Sequence, residues 1–152
     1  MFQFMTSTKI VFGEGALNSS LSMLNQYGYS VLLVTGKNTR RAEPILTYLN
    51  QQRMRYQHVS ISGEPHITMI EETAIVGRRF KPDMVVAIGG GSAIDLGKAL
   101  AGIIPNQGNV YDYVEVVGRS VPLKTKPLPF IAIPTTASTG SEVTNKAVLR
   151  SG

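Results

Sequence analysis

Apolar and polar positions along this chain follow two different periods. Four short, largely apolar runs predict strands: Val31–Val34, Tyr56–Ile61, Met84–Ile88 and Phe130–Ile133. They are rich in Val and Ile and almost free of charge, as parallel strands buried on both faces are. Between them, apolar residues recur at helical spacing. Leu17, Leu21 and Leu24, closed by Gly28, predict one helix. Ile45, Leu46 and Leu49 predict a second, and Ile70, Ala74 and Ile75 a third. A fourth runs from Ala93 to Ile104 and is closed by Pro105. Strands alternating with helices over short links predict a parallel α/β sheet. Lys9–Gly15 predicts an added N-terminal edge strand and a turn. Gln107–Pro129 is loop-rich, with Pro122, Pro127 and Pro129, and holds one short helix near Asp112. No segment repeats and none is of low complexity.

Composition narrows the chemistry. The 152 residues correspond to one domain, residues 1–152. With 43% apolar and 16% charged residues, the chain can build a core and is not a disordered tail. It has no cysteine, which excludes disulfides, thiol catalysis and cysteine-bound metal. Its two histidines, His58 and His66, and three aspartates, Asp83, Asp95 and Asp112, hardly supply the three converging ligands of a catalytic metal. There is no tryptophan and little aromatic interleaving, so no nucleic-acid platform is expected. No uncharged apolar window reaches the roughly 18 residues of a membrane span. The opening MFQFMTSTKIVFGEG lacks the charged start and unbroken apolar core of a signal peptide. A cytoplasmic protein without membrane or nucleic-acid partners is expected.

The net charge is +5, and residues 37–55 carry most of it. Lys37, Arg40, Arg41, Arg53 and Arg55 stand there against Glu43 alone. Such a stretch is either a solvated helix face or a patch for a phosphate.

The run Asp83–Ile88 leads directly into Gly89-Gly90-Gly91-Ser92, and a predicted helix follows. A strand, a glycine turn and a helix N-terminus together suit a phosphate. The glycines keep side chains out of the ligand's path, and the helix offers unpaired N–H groups and its positive dipole end. Ser92 is a good N-cap, and Asp95, three residues on, resembles the acidic member of a capping box. Lys98 comes too late for a Walker loop and is expected to be a surface or packing lysine.

A second polar cluster, Pro134-Thr135-Thr136-Ala137-Ser138-Thr139-Gly140-Ser141-Glu142-Val143-Thr144, follows the last apolar strand. Polar loops outside the carboxyl ends of parallel strands are where such sheets bind ligands. Hydroxyls donate and accept without adding charge, which suits a ribose or a pyrophosphate. A loop bonding only its own backbone is the alternative.

The segment from Ala87 to Lys98, Ala-Ile-Gly-Gly-Gly-Ser-Ala-Ile-Asp-Leu-Gly-Lys, together with Ile133–Thr144 and the opening Phe12-Gly-Glu-Gly15, resembles the iron-containing (group III) alcohol dehydrogenase family. The likeness covers the whole chain but only about the first two-fifths of a typical member. It implies a Rossmann-like dinucleotide-binding domain, a parallel sheet with helices on both faces. It also implies that the family's helical C-terminal domain, with its divalent metal (iron or zinc) on one aspartate and three histidines, lies beyond Gly152. The metal would polarise a carbonyl oxygen as a Lewis acid. The implied reaction is reversible hydride transfer between an alcohol and the aldehyde or ketone, using a nicotinamide cofactor. This chain itself is expected to be inactive, with no catalytic and no metal-binding residue. A homodimer is expected.

Carried over position by position, Gly90, Gly91 and Ser92 match the turn that holds the pyrophosphate. Thr135, Thr136 and Thr139 match the loop around adenosine and ribose groups, and Thr144 matches a residue near the nicotinamide. Two positions depart from the family pattern. Gly36 replaces the aspartate that in NAD-preferring members bonds the ribose hydroxyls. His66-Ile67 replaces a common Asn-Pro. Gly36 removes a charge that would repel a 2′-phosphate, while Lys37 and Arg40 or Arg41 stand next to it. One charge-assisted hydrogen bond, worth about 1.5–3 kcal/mol, gives a roughly 10- to 100-fold preference. NADP is therefore expected over NAD. Alternatives are a fragment of a glycerol dehydrogenase, maleylacetate reductase or dehydroquinate synthase, a non-catalytic nucleotide-binding module, and a flavodoxin-like phosphate or flavin binder.

Overall fold

Val31, Leu32, Leu33 and Val34 are fully buried, because the strand that carries them has neighbours on both edges and helices on both faces. The computed structural model describes residues 9–137 and 139–151. Strand β1 (Ser30–Gly36) lies between β2 (Arg55–Ile61) and β3 (Met84–Gly89), and β4 (Phe130–Pro134) pairs with the far edge of β3. All pairs are parallel, in the order β2-β1-β3-β4. Parallel neighbours need crossovers, which the helices supply.

The helices are α1 (Ala16–Ser20), α2 (Glu43–Gln51), α3 (Ile67–Phe80), α4 (Gly91–Ile103) and α5 (Val110–Tyr113). Alternate strand residues face opposite layers. Val31, Leu33, Met84 and Val86 pack with Ile45 and Leu49 of α2 and with Leu24. Leu32, Val34, Val85 and Ala87 pack with Ile70 and Ala74 of α3 and with Leu96 and Leu100 of α4. Each such aliphatic side chain contributes about 1.5–3 kcal/mol when buried. The four predicted strands and the parallel α/β class are thus found, with helices on both faces.

Four local expectations differ. Lys9–Phe12 form no strand: Ile10 and Val11 are half exposed and Phe12 is 98% exposed, and no strand among the described residues takes their backbone groups. Ile75 lies on the solvent side of α3, whose buried stripe is Ile67, Ile70, Thr73, Ala74 and Gly77. Strand β2 is not buried on both faces; it is an edge strand, and Arg55, Tyr56 and Ser60 are exposed. The N-cap of α4 is Gly90 rather than Ser92, so the helix starts earlier and Ser92 falls in its first turn.

Two buried polar residues organise the connections. Asn106, 1% exposed, donates to Gly102 O and Thr125 O and accepts from the N–H groups of Lys124 and Thr125. It thereby pins the loop-rich stretch back onto α4. The predicted short helix is α5, closed by a capping box between Asn109 and Asp112.

Candidate functional site

Leaving β1, the chain moves to β2 on one side; the later strands lie on the other. The gap outside the carboxyl ends of β1 and β3 is therefore the switch point where open parallel sheets bind ligands. The glycine turn and the threonine loop both open there. Thr135 N–H donates to Gly89 O at 2.9 Å, fixing the start of the threonine loop beside the glycine turn. Gly89 has φ +157, and a Cβ there would meet Ala93 Cβ at 2.7 Å and Gly36 N at 3.3 Å. Gly36 thus lies directly against the turn. A Cβ at Gly36 itself would meet nothing within 4 Å.

The loop packs over the turn. A Cβ built on Gly90 would stand 3.5 Å from Thr136 Oγ1, and one on Gly91 would stand 2.9 Å from Thr139 Cγ2. The N–H groups of Gly91 and Ser92, the first of α4, have no intrahelical partner, by helix geometry, whereas those of Ala93 and Ile94 bond Gly90 O. Gly91, Ser92, Thr139 and Thr144 line one cleft of about 540 Å³, which Pro65 and Val148 close from the other side. That volume is in the range of ligand clefts, roughly 300–1,000 Å³. The far wall exists because the chain's end returns. Arg150 N–H donates to Pro65 O at 2.9 Å and Ile67 N–H to Arg150 O at 3.2 Å. His66 stands at this junction as the N-cap of α3, without a side-chain capping bond.

Gly36, Gly90, Gly91, Ser92, Thr135, Thr136, Thr139 and Thr144 therefore lie along one end of the sheet. Ser138 of the same loop lies outside the described residues. The basic stretch divides in two. Lys37, Arg40 and Arg41 are exposed at the carboxyl end of β1. Arg53 and Arg55 sit at the opposite end, where Arg55 donates to Phe80 O and stacks 5.2 Å from the Phe80 ring centroid. They belong to no patch with the others, because the helix between them carries the chain back across the sheet. Within the near group, Arg41 reaches furthest: its Nη1 donates to Thr135 O at 3.5 Å. Arg40 has its backbone N–H capped by Asn38 Oδ1.

Asp95 and Lys98 are placed otherwise than expected. Asp95 caps nothing; it is 8% exposed and accepts a hydrogen bond from the Ser141 hydroxyl. The Lys98 ammonium is neither on the surface nor in an apolar setting, and is bonded to the threonine loop. Sequence spacing placed both residues one turn into α4 but carried no sign of a partner more than 40 residues away. Beyond Lys98 lies a second, mainly apolar cleft of about 550 Å³ between α4, α5 and Leu149.

Among the described residues, no group of three or more His, Cys, Asp or Glu comes together that could hold a metal ion. The family's divalent metal does not fit this set of side chains. No helix among them is long and apolar enough to cross a membrane.

Fold and site together define a doubly wound parallel α/β domain with a glycine turn set under a hydroxyl-rich loop. The chain belongs to the iron-containing alcohol dehydrogenase family, whose profile matches residues 7–152. It is 31% identical over 153 residues to NADH-dependent butanol dehydrogenase A of Clostridium acetobutylicum, covering 97% of this chain and 38% of that protein. It is 33% identical over 156 residues to long-chain-alcohol dehydrogenase 1 of Geobacillus thermodenitrificans, covering 95% of this chain and 39% of that protein. Among solved structures, the iron-containing alcohol dehydrogenase of Thermotoga maritima superposes with a TM-score of 0.85 at 28% identity, over 99% of this chain and 42% of that one. Sulfoacetaldehyde reductase from Bifidobacterium kashiwanohense, solved in complex with NAD+, superposes with a TM-score of 0.79 at 29% identity, over 95% of this chain and 38% of that one. The chain thus spans about two-fifths of the length of these relatives.

Proposed function

We propose that residues 1–152 form the dinucleotide-binding unit of a metal-dependent alcohol dehydrogenase. It would bind a nicotinamide cofactor at the switch point and present it to an alcohol or aldehyde. The observation that carries this reading is the cleft where Thr139 and Thr144 face Gly91 and Ser92. A pyrophosphate there would meet backbone N–H groups at a helix N-terminus and hydroxyl donors, in a cleft whose lining also carries the carboxylates of Glu64 and Asp95. The nicotinamide ring supplies the hydride chemistry, and the protein's part is to hold and orient it. Gly90, Gly91 and Ser92 take the pyrophosphate in this reading; Thr135, Thr136 and Thr139 take the adenosine and ribose groups, and Thr144 lies toward the nicotinamide.

NADP(H) is the preferred cofactor in this reading. Two observations support it. The position at Gly36 is open, so a 2′-phosphate meets neither bulk nor negative charge from that residue. Lys37, Arg40 and Arg41 supply positive charge beside it. The relative named above for NADH, and the reductase solved with NAD+, make the direct comparison decisive. The metal, and with it the catalytic step, would be supplied by residues outside this chain. The homodimer and the cytoplasmic setting belong to the same reading.

The test is a fluorescence titration of the 152-residue chain with NADPH and NADH at one modest salt concentration. Tighter NADPH binding is expected. Tighter NADH binding would keep the dinucleotide site and reverse the cofactor preference. Binding of neither would sink the dinucleotide reading for this chain and leave the non-catalytic alternatives.

A further inference from the structure

The Lys98 ammonium ties α4 to the threonine loop. It donates to Ser141 Oγ at 3.3 Å, Thr144 Oγ1 at 3.0 Å and Lys146 O at 2.5 Å, and stands 3.5 Å from Asp95 Oδ1. The Ser141 hydroxyl donates to the same Asp95 oxygen, and Thr144 Oγ1 donates to Lys146 O at 3.1 Å. The side chains of Lys98 and Asp95 are each only 11% exposed.

An ammonium has three N–H donors, and here all three are used. None is left for a phosphate or a substrate. A buried ammonium and carboxylate persist when each is paired and hydrogen-bonded. Here most of their partners belong to residues 141–146. If that segment lifted from α4, Lys98 would keep Asp95 and lose all three hydrogen bonds. The pair therefore favours one position of the loop. That position sets Thr139 and Thr144 in the cleft wall beside Gly91 and Ser92.

We propose that Lys98, with Asp95 as its counter-ion, is a positioning residue that clamps residues 141–146 onto α4 and so pre-organises the hydroxyl wall of the dinucleotide cleft. This rests on the dinucleotide-binding reading above. A loop held in place before binding loses less conformational freedom when the ligand arrives, so Lys98, which does not line the cleft although Asp95 and Ser141 do, acts on affinity without touching the ligand. Its partners are Asp95, Ser141, Thr144 and Lys146, none of them among the residues assigned to a 2′-phosphate, so it acts equally on NADH and NADPH.

Two measurements on Lys98→Met test it, with Ser141→Ala as a milder variant that keeps the Lys98–Asp95 pair. The first is hydrogen–deuterium exchange of the ligand-free protein. Peptides covering residues 139–148 should exchange at least tenfold faster, while β1, β3 and α2 keep their protection. The second is dinucleotide affinity, measured well below the variant's melting temperature. Kd should rise at least tenfold for Lys98→Met, by the same factor for NADH and NADPH, and less for Ser141→Ala. Unchanged exchange in 139–148 would overturn the clamp. Faster exchange with Kd within twofold of the parent would overturn its role in binding, since a structural lysine alone moves melting and not affinity. If the parent chain binds neither dinucleotide, the dinucleotide reading has failed, and the exchange data by themselves decide whether Lys98 holds the loop.

Discussion

Thr139 stands so close to Gly91 that the glycine has no room for a side chain: a Cβ added there would lie 2.9 Å from Thr139 Cγ2. The turn and the loop thus meet in van der Waals contact. Gly91→Ala should push Thr139 outward and widen the cleft wall. Thr139 is exposed, so the move costs little stability, and melting should change by no more than about 2 °C. Dinucleotide affinity should fall roughly tenfold, the equivalent of one hydrogen bond. Adding Thr139→Ser removes the clashing methyl and should restore most of it. A double-mutant cycle by titration checks this; additive losses would mean the two residues act separately.

Gly36→Asp should turn the cofactor preference toward NADH. The new side chain meets no atom within 4 Å of its Cβ, so the change acts through charge and hydrogen bonding rather than sterics. The NADPH/NADH affinity ratio should fall by roughly 10- to 100-fold, the range of one charge-assisted hydrogen bond. An unchanged ratio would remove Gly36 from the specificity argument.

Arg41→Ala should lower NADPH affinity more than Arg40→Ala does. Arg41 bridges toward Thr135 O across the mouth of the site, whereas among the described residues the Arg40 side chain makes no such bond. A difference of roughly three- to tenfold is expected at low salt, shrinking as salt screens the exposed charges. Equal effects would mean the two arginines contribute only a diffuse field.

Asn106→Leu should destabilise the fold without touching the site. It removes four hydrogen bonds from a residue 1% exposed and leaves the Lys124 and Thr125 amides without their acceptor. A loss of about 2–4 kcal/mol follows, or roughly 5–15 °C in melting temperature. Dinucleotide affinity at low temperature should stay the same. Calorimetry and titration of the same sample check both halves.

Asp83 should make stability acid-sensitive. Its Oδ2 accepts from the Ser30 hydroxyl at 2.8 Å and from the N–H groups of Tyr29 and Ser30 at 2.8 and 2.9 Å. The Ser30 hydroxyl foremost, then the Tyr29 N–H, and behind them the Ser30 N–H and the charge of Arg55, hold its carboxyl below the ordinary value, against the opposing effect of burial. The folded pKa is lowered, so the stabilisation is present above the unfolded value, about 4, and is lost as pH falls through the folded one. Asp83→Asn should therefore melt lower than the parent at pH 7. The gap should close below about pH 4. A gap independent of pH would assign the effect to packing against Gly28, whose Cβ position lies 2.4 Å from Asp83 Cβ.

The parallel α/β class, the four strands and the two polar loops at their carboxyl ends were legible from the amino-acid order. Each rests on a local pattern. Val-rich runs such as Met84–Ile88 can lower their free energy only inside a sheet, and three consecutive glycines before a helix open backbone N–H groups wherever the chain goes next. The tertiary structure alone decided which partners meet. It set β2 at an edge, left Phe12 exposed without a strand, and sent Arg53 and Arg55 to the end of the sheet away from Lys37 and Arg41. It turned Asp95 and Lys98 from a cap and a packing lysine into a clamp on residues 141–146. Arg41 and Thr135 are 94 residues apart, Lys98 and Thr144 46 apart, and Asn106 and Thr125 19 apart. No helical or strand period spans such distances. Those pairs form because parallel pairing and layer packing bring residues distant in the chain together; where the place is buried, as at Asn106, each polar group must find a partner.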